Sequence, residues 1–454
     1  MKRLFILFAL NLFVITSSQS PDYKQSIDSL LNYFQKNNAF SGSVLLQKGG
    51  QTIYKGEFNT FPNGTDNYRI GSITKIFTAI VIFQLIEEGK LKLETKLSTF
   101  YPAIKYADEI TIANLLNHTS GIYNYLEWED YYHRKGNNYT KENMLKLIEQ
   151  GKPESKPNQE SSYSNSNYTL LGYIIEDITK KDYSENVKSR IINPLGLQNT
   201  YYEAEKDKSG NFKRNDSYKF DGEVWSKENA THPSFTLAAG AMVSSTEDLS
   251  RLMFALFNGH LVSGKSLEQM EKTNLKTGIG YGLFRTPFHD KNGYGHTGRI
   301  DEFRAATVYF PADDFTLTIL TNGTNIKLND IALGIASKYY HSQYQRPDFK
   351  VYENANVPQT QIYTGIYSAK LAGIISIGKF RITQAGKNHL YFEMYNNEKD
   401  NTKESRKALL KRTGENEFYS FETNAKLQFL LNKKGVVTGI KLAQGNTTIR
   451  CKKL

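Results

Sequence analysis

The chain has 454 residues, 23% of them charged and 39% hydrophobic, which describes a globular protein too long for one ordinary domain. Its net charge is +11, but the lysines and arginines are scattered; the densest basic stretch, Lys403 to Arg412, is interleaved with Glu404 and Ser405 and reads as a solvated face. With no nucleic-acid motif present, this argues against a dedicated nucleic-acid binder, and the single cysteine, Cys451, excludes an intrachain disulfide.

Residues 1–18 read as a secretory signal: Lys2-Arg3, an apolar run from Leu4 to Ile15, then the small residues Thr16-Ser17-Ser18. The apolar run is too short for a stable membrane span, and no cysteine stands at the cleavage site to take a lipid. The expectation is export, to a periplasm or the medium, without a transmembrane anchor.

Asp22 to Asn37 reads as an amphipathic helix, and Gly42–Gln47 with Gln51–Tyr54 as a hairpin turning at Lys48-Gly49-Gly50. Next comes Gly71-Ser72-Ile73-Thr74-Lys75, running into Ile76 to Phe83, apolar on nearly every side as in a buried helix that ends near Gly89. Residues 90–250 read mostly as helices and loops, with Ser244 and Glu247 as a capping box ahead of Leu249 to Phe257. Strand character returns at Tyr281–Phe284, Gly293–Gly298, Phe303–Tyr309 and Phe315–Leu320, turning at Asp313-Asp314 between the last two. Strands at both ends thus enclose a helical insert, an α/β (α+β) architecture with a helical lobe. A polar stretch with Pro347 and Pro358, residues 346–361, reads as a linker. Short strands follow at Ile374–Ile377, Phe418–Phe421, Leu427–Leu431 and Val436–Leu442, suggesting a small all-β barrel or sandwich. The predicted domains are 19–345 and 362–454.

Chemistry enters at Ser72 and Lys75. On a helix, residues three apart share a face, so the lysine amine lies beside the serine hydroxyl. A buried lysine loses its charge and can take the serine's proton. A second Ser-x-x-Lys pair, Ser376 with Lys379, lies in an apolar β-branched run where strand alternation sends the two residues to opposite faces; it reads as a decoy. Two further motifs are Tyr163-Ser164-Asn165, on a turn entering a helix, and His296-Thr297-Gly298, opening the strand pair near 300.

In order and texture these motifs resemble the serine β-lactamase and penicillin-binding-protein superfamily, whose signatures include Ser-x-x-Lys. The nearest likeness is the class C branch, with its D-alanyl-D-alanine carboxypeptidases, D-amino-acid peptidases and esterases. Tyr68–Ser72, Leu115–Gly121 and Ala238–Met242 carry the same likeness, which spans about residues 24–342. Tyr363–Tyr367 and Gly435–Gly439 resemble the β-barrel domain often appended to such hydrolases. The resemblance implies an antiparallel sheet flanked by helices and an acyl-enzyme on Ser72. Lys75 and Tyr163 would exchange the proton, and Asn165 would hold the substrate amide. The oxyanion would be held by the backbone N–H groups of Ser72 and Arg299, with His296, Thr297 and Gly298 lining the substrate. His296 stands where many relatives carry lysine, removing a permanent cation near pH 7. Arg299 either faces the cleft, on the same strand face as Thr297, and restores that charge, or pairs with Asp301 or Glu302 at the rim.

No histidine pair has metal-ligand spacing, no cofactor is implied, and Gly-x-Ser-x-Gly is absent. His118 reads as part of a structural loop. The expected partner is a small-molecule or peptide substrate, cell-wall derived in the family reading. Two rivals stay open: a penicillin-binding sensor that acylates with little turnover, and a non-catalytic interaction module.

Overall fold

The computed structural model describes residues 22–454 except 62–64, 128–133, 205–212, 351, 353–357, 372–374, 387, 396–406 and 446. The expected secretory signal lies outside the described residues.

Helix α1 (Tyr23–Lys36) is capped by the Asp22 carboxylate and buries Ile27, Leu30, Leu31 and Phe34, one stripe at helical spacing. Strands β1 (Phe40–Lys48) and β2 (Gln51–Phe58) form the expected hairpin. They join β3 (Phe284–Phe288), β4 (Lys291–Ile300), β5 (Phe303–Phe310) and β6 (Phe315–Thr324) in one antiparallel sheet, ordered β2-β1-β6-β5-β4-β3. The chain's first and last strands of this domain therefore pair directly, Val44 opposite Ile319. Tyr281 to Leu283, expected as strand, precede β3, where Gly282 takes φ +81° and packs on the helix that follows Ser72.

One sheet face is covered by α1 and the helix Leu328–Tyr339, with Phe34, Val44, Phe315 and Ile335 in a common core. The other is covered by the helix Thr246–Phe257. That helix is capped by Ser245, whose hydroxyl accepts the Asp248 N–H; Ser244, the expected cap, belongs instead to a short strand paired with Tyr68. A larger core fills the helical lobe around α2 (Thr74–Glu87), in which every residue from Thr74 to Phe83 is buried. No helix among the described residues is long and apolar enough to cross a membrane.

Eight strands, the first Gly365–Leu371 and the last Thr447–Lys453, close into an antiparallel barrel, shut by pairing of Tyr367 with Lys453. Its interior holds Tyr367, Phe380, Ile382, Leu390, Leu410, Phe418, Leu427 and Phe429. Side chains fill a barrel of this strand number. The barrel docks on the first domain: Phe421 reaches the sheet's core and packs on Phe349 with ring centroids 4.9 Å apart. The 346–361 stretch is consequently more than a tether. Tyr33 donates to the Pro347 carbonyl at 2.8 Å, Phe349 is buried, and Arg412 donates to the Pro358 carbonyl at 2.8 Å.

The basic stretch also differs from expectation at its C-terminal end. Lys411 and Arg412 are buried rather than solvated. Lys411 lies over the rings of Phe220, Phe349 and Phe421 at 5.5–5.8 Å, and Arg412 lies 4.9 Å over Phe418. Aromatic faces attract such cations, while burial pushes the Lys411 amine down to about 8.

Candidate active site

Ser72 sits on a single 3-10 turn, Gly71–Ile73, that feeds α2. Gly71 takes φ +49°, a left-handed geometry natural to glycine, and its Cα faces the backbone of Arg299 so closely that a Cβ would sit 2.8 Å from Arg299 N. One turn on, the Lys75 side chain is fully buried. Its Nζ lies 3.1 Å from Ser72 Oγ, 2.8 Å from Asn165 Oδ1 and 2.7 Å from the Ala239 carbonyl. Desolvation holds this amine well below the usual lysine range. A neutral amine has two protons and one lone pair. Asn165 and Ala239 accept the protons, which leaves the lone pair for the Ser72 hydroxyl. Tyr163 completes the group: its phenol donates to Ser72 Oγ at 2.8 Å, and its own ionisation is pushed up by burial. Ser72 itself is only half-buried.

Tyr163 precedes the helix Asn165–Thr179, whose N-cap is Ser164. His118 positions this entry. Its Nδ1 accepts the Ser164 N–H at 3.0 Å and its ring stacks on Tyr163 with centroids 4.4 Å apart. Asn124 orients Asn165, accepting both its backbone N–H (3.1 Å) and its side-chain amide (3.2 Å), so that Oδ1 is turned to Lys75. The Ala239 carbonyl is aimed by a break in the helix Pro233–Gly240 at Leu237, which takes φ 35°. Strain of this kind costs on the order of 1–3 kcal/mol in a non-glycine residue. Here it directs two successive carbonyls at α2, Ala238 to Thr78 Oγ1 (2.7 Å) and Ala239 to Lys75. Neither Asn124 nor Ala239 stood out as a site residue in the sequence; the Ala238–Met242 likeness was the only signal.

The third motif lies on β4. Strand β3 pairs with β4 only as far as Gly295; beyond it the same edge runs against the Ser72 turn. Gly298 makes that approach possible, since a Cβ there would lie 1.9 Å from the Ile70 carbonyl and 3.2 Å from Ser72 N. The backbone of the Ser72 turn and that of Gly298-Arg299 are thereby brought into close approach. Thr297 and Arg299 share the exposed strand face, and His296 and Gly298 the buried one.

The rim carboxylates are taken. Asp301 binds the fully buried Arg69 guanidinium at 2.5 Å and accepts from Thr231 Oγ1 at 2.7 Å, while Glu203 takes Arg69 Nε at 2.6 Å. Glu302 pairs with Arg304 at 2.9 Å. Arg299 pairs instead with Glu422 of the barrel, Nη1 to Oε1 3.8 Å.

His296 stacks on Phe284 at 4.1 Å and its Nδ1 donates to the Thr297 carbonyl. Desolvation, helped by Lys75, lowers it to about 3. It stays neutral at any working pH. Between about pH 6.5 and 3 the unfolded chain therefore binds a proton that the folded site refuses, so stability is full above pH 6.5 and declines on acidification. The slope is at most about 1.4 kcal/mol per pH unit. Urea titrations between pH 7 and 4 should show His296→Phe losing less stability than the parent. Parallel curves would mean that this histidine does not report its burial.

No cluster of His, Cys, Asp and Glu among the described residues could hold a metal ion. The Beta-lactamase family model matches residues 27–333, a stretch containing all three motifs. The chain belongs to the β-lactamase family. Within the wider serine β-lactamase and penicillin-binding-protein superfamily, it is 29% identical over 325 residues to Protein flp of Staphylococcus aureus, covering 66% of this chain and 63% of that relative. The chain thus spans less than two thirds of that protein's length. Two solved structures share the fold. A D-amino acid amidase from Ochrobactrum anthropi complexed with D-phenylalanine is 23% identical, with TM-score 0.63 over 71% of this chain and 100% of that one. An octameric penicillin-binding protein homologue from Pyrococcus abyssi is also 23% identical, with TM-score 0.61 over 95% of this chain and 100% of that one. The β-lactamase-family match stops short of the barrel, whereas the second structural likeness extends over it.

Proposed function

We propose that the protein is an exported serine hydrolase that cleaves an amide or ester through an acyl-enzyme on Ser72. One observation carries this: Ser72 Oγ lies between the desolvated Lys75 amine at 3.1 Å and the Tyr163 phenol at 2.8 Å. Lys75 takes the hydroxyl proton as Ser72 attacks the carbonyl carbon, and the proton passes by Lys75 and Tyr163 to the leaving amine or alkoxide. The N–H groups of Ser72 and Arg299 hold the oxyanion, each donor worth roughly 3 kcal/mol. Asn165 and Thr297 hold the substrate amide, with His296 and Gly298 behind them, and water then releases the acid. The amidase likeness favours a D-amino-acid amide or peptide over a β-lactam as the bond cleaved. Export rests on the Lys2-Arg3 and apolar pattern of residues 1–18.

Intact-mass measurement after exposure to D-phenylalanine amide, a D-Ala-D-Ala peptide, a p-nitrophenyl ester and a penicillin tests the reading. The expected result is a transient adduct on Ser72 with amide or ester, accompanied by product. An adduct that persists without turnover would favour a penicillin-binding sensor, and no adduct with any of the four would favour a non-catalytic module.

A further inference from the structure

The barrel reaches the catalytic strand at one charged point. Glu422 sits on the turn between strands Glu417–Ser420 and Ala425–Leu431. Its neighbour Phe421 is anchored in the sheet's core against Phe349. The turn is braced from within, Tyr419 donating to Asn424 Oδ1 at 3.3 Å and the Thr423 N–H to Ser420 Oγ at 3.4 Å. Docking of Phe421 therefore holds the Glu422 carboxylate beside Arg299, whose backbone abuts the Ser72 turn and whose side chain shares the exposed face with Thr297. Together the two line a small cavity between the barrel and the sheet with Lys219, Glu302, Tyr391 and Lys407, so Arg299 and Glu422 sit among further charges of both signs. Both side chains keep partial solvent access, 34% and 26% exposed, so the pair is screened and weakly held. A guanidinium so placed can exchange one carboxylate for another.

We propose that Glu422 is a specificity-determining residue of the active site, competing with substrate carboxylates for Arg299 and so tuning the enzyme away from anionic substrates. The barrel then acts in catalysis through this residue, because its interior is packed with side chains. The inference rests on the acyl-enzyme reading of Ser72 and adds to it the control of substrate charge.

The test uses the full chain and two esters of similar size, p-nitrophenyl hemisuccinate and p-nitrophenyl butyrate. Glu422→Gln should raise the hemisuccinate-to-butyrate ratio of kcat/KM by roughly two- to fivefold, the scale of one exposed ion pair, and less in high salt. Arg299→Ala should lower the ratio, and adding Glu422→Gln to it should change the ratio no further. A Glu422→Gln effect equal on both esters, or one that survives in the Arg299→Ala background, would mean that Glu422 only supports docking and would overturn the proposal. Fluorophosphonate labelling of the same samples separates the two levels. Labelled Ser72 with an unmoved ratio overturns the role of Glu422 alone; an unlabelled Ser72 overturns the hydrolase reading beneath it.

Discussion

Ser72→Ala should abolish covalent labelling by fluorophosphonate and lower hydrolysis by on the order of 10⁴-fold or more, as loss of a nucleophile does elsewhere. The fold should survive. Removing one half-buried oxygen leaves Lys75 with Asn165 and Ala239 as acceptors, and α2 keeps its apolar surroundings. The two measurements that decide are peptide mapping of the label and a thermal melt. Label lost with an unchanged melt assigns the nucleophile. Label retained on another serine, Ser376 for example, would show that the buried amine at Lys75 serves packing rather than proton transfer.

Gly298→Ala should cost about 100-fold or more in kcat, the effect of losing one oxyanion donor. The added Cβ would stand 1.9 Å from the Ile70 carbonyl, far inside contact distance, with backbone rather than a flexible side chain as the obstacle. Strand β4 must then withdraw from the Ser72 turn, and the Arg299 N–H withdraws with it. The substrate's ground-state carbonyl makes less use of those donors than the tetrahedral oxyanion does, so kcat should fall more than KM changes. A melt distinguishes misplacement from unfolding. An alanine variant that retains activity within a factor of three would mean that the apposition of the two N–H groups is not what stabilises the oxyanion.

The local features of this site were legible in the sequence. An all-round apolar helix can only be a buried one, so the desolvation of Lys75 followed from Ile76 to Phe83, and helical spacing placed it beside Ser72. Strand alternation put Thr297 and Arg299 on one face. These are periodicities of a single element, and they need no knowledge of what packs against it.

What the tertiary structure alone decided concerns partners far apart in the chain. Asn124 orients Asn165, the strained Leu237 turns the Ala239 carbonyl onto Lys75, and Asp301 goes to Arg69 rather than to Arg299. Glu422, 123 positions beyond Arg299, carried no mark in its own neighbourhood. Lys411 and Arg412 looked like solvent-facing charges until the rings of Phe220, Phe349 and Phe418 closed over them. The physical reason is common to all of these. Periodicity records which side of an element is apolar, because that depends on the residue itself. The pairing of a charge or a carbonyl depends on which other group arrives within about 3 Å, and only folding settles that.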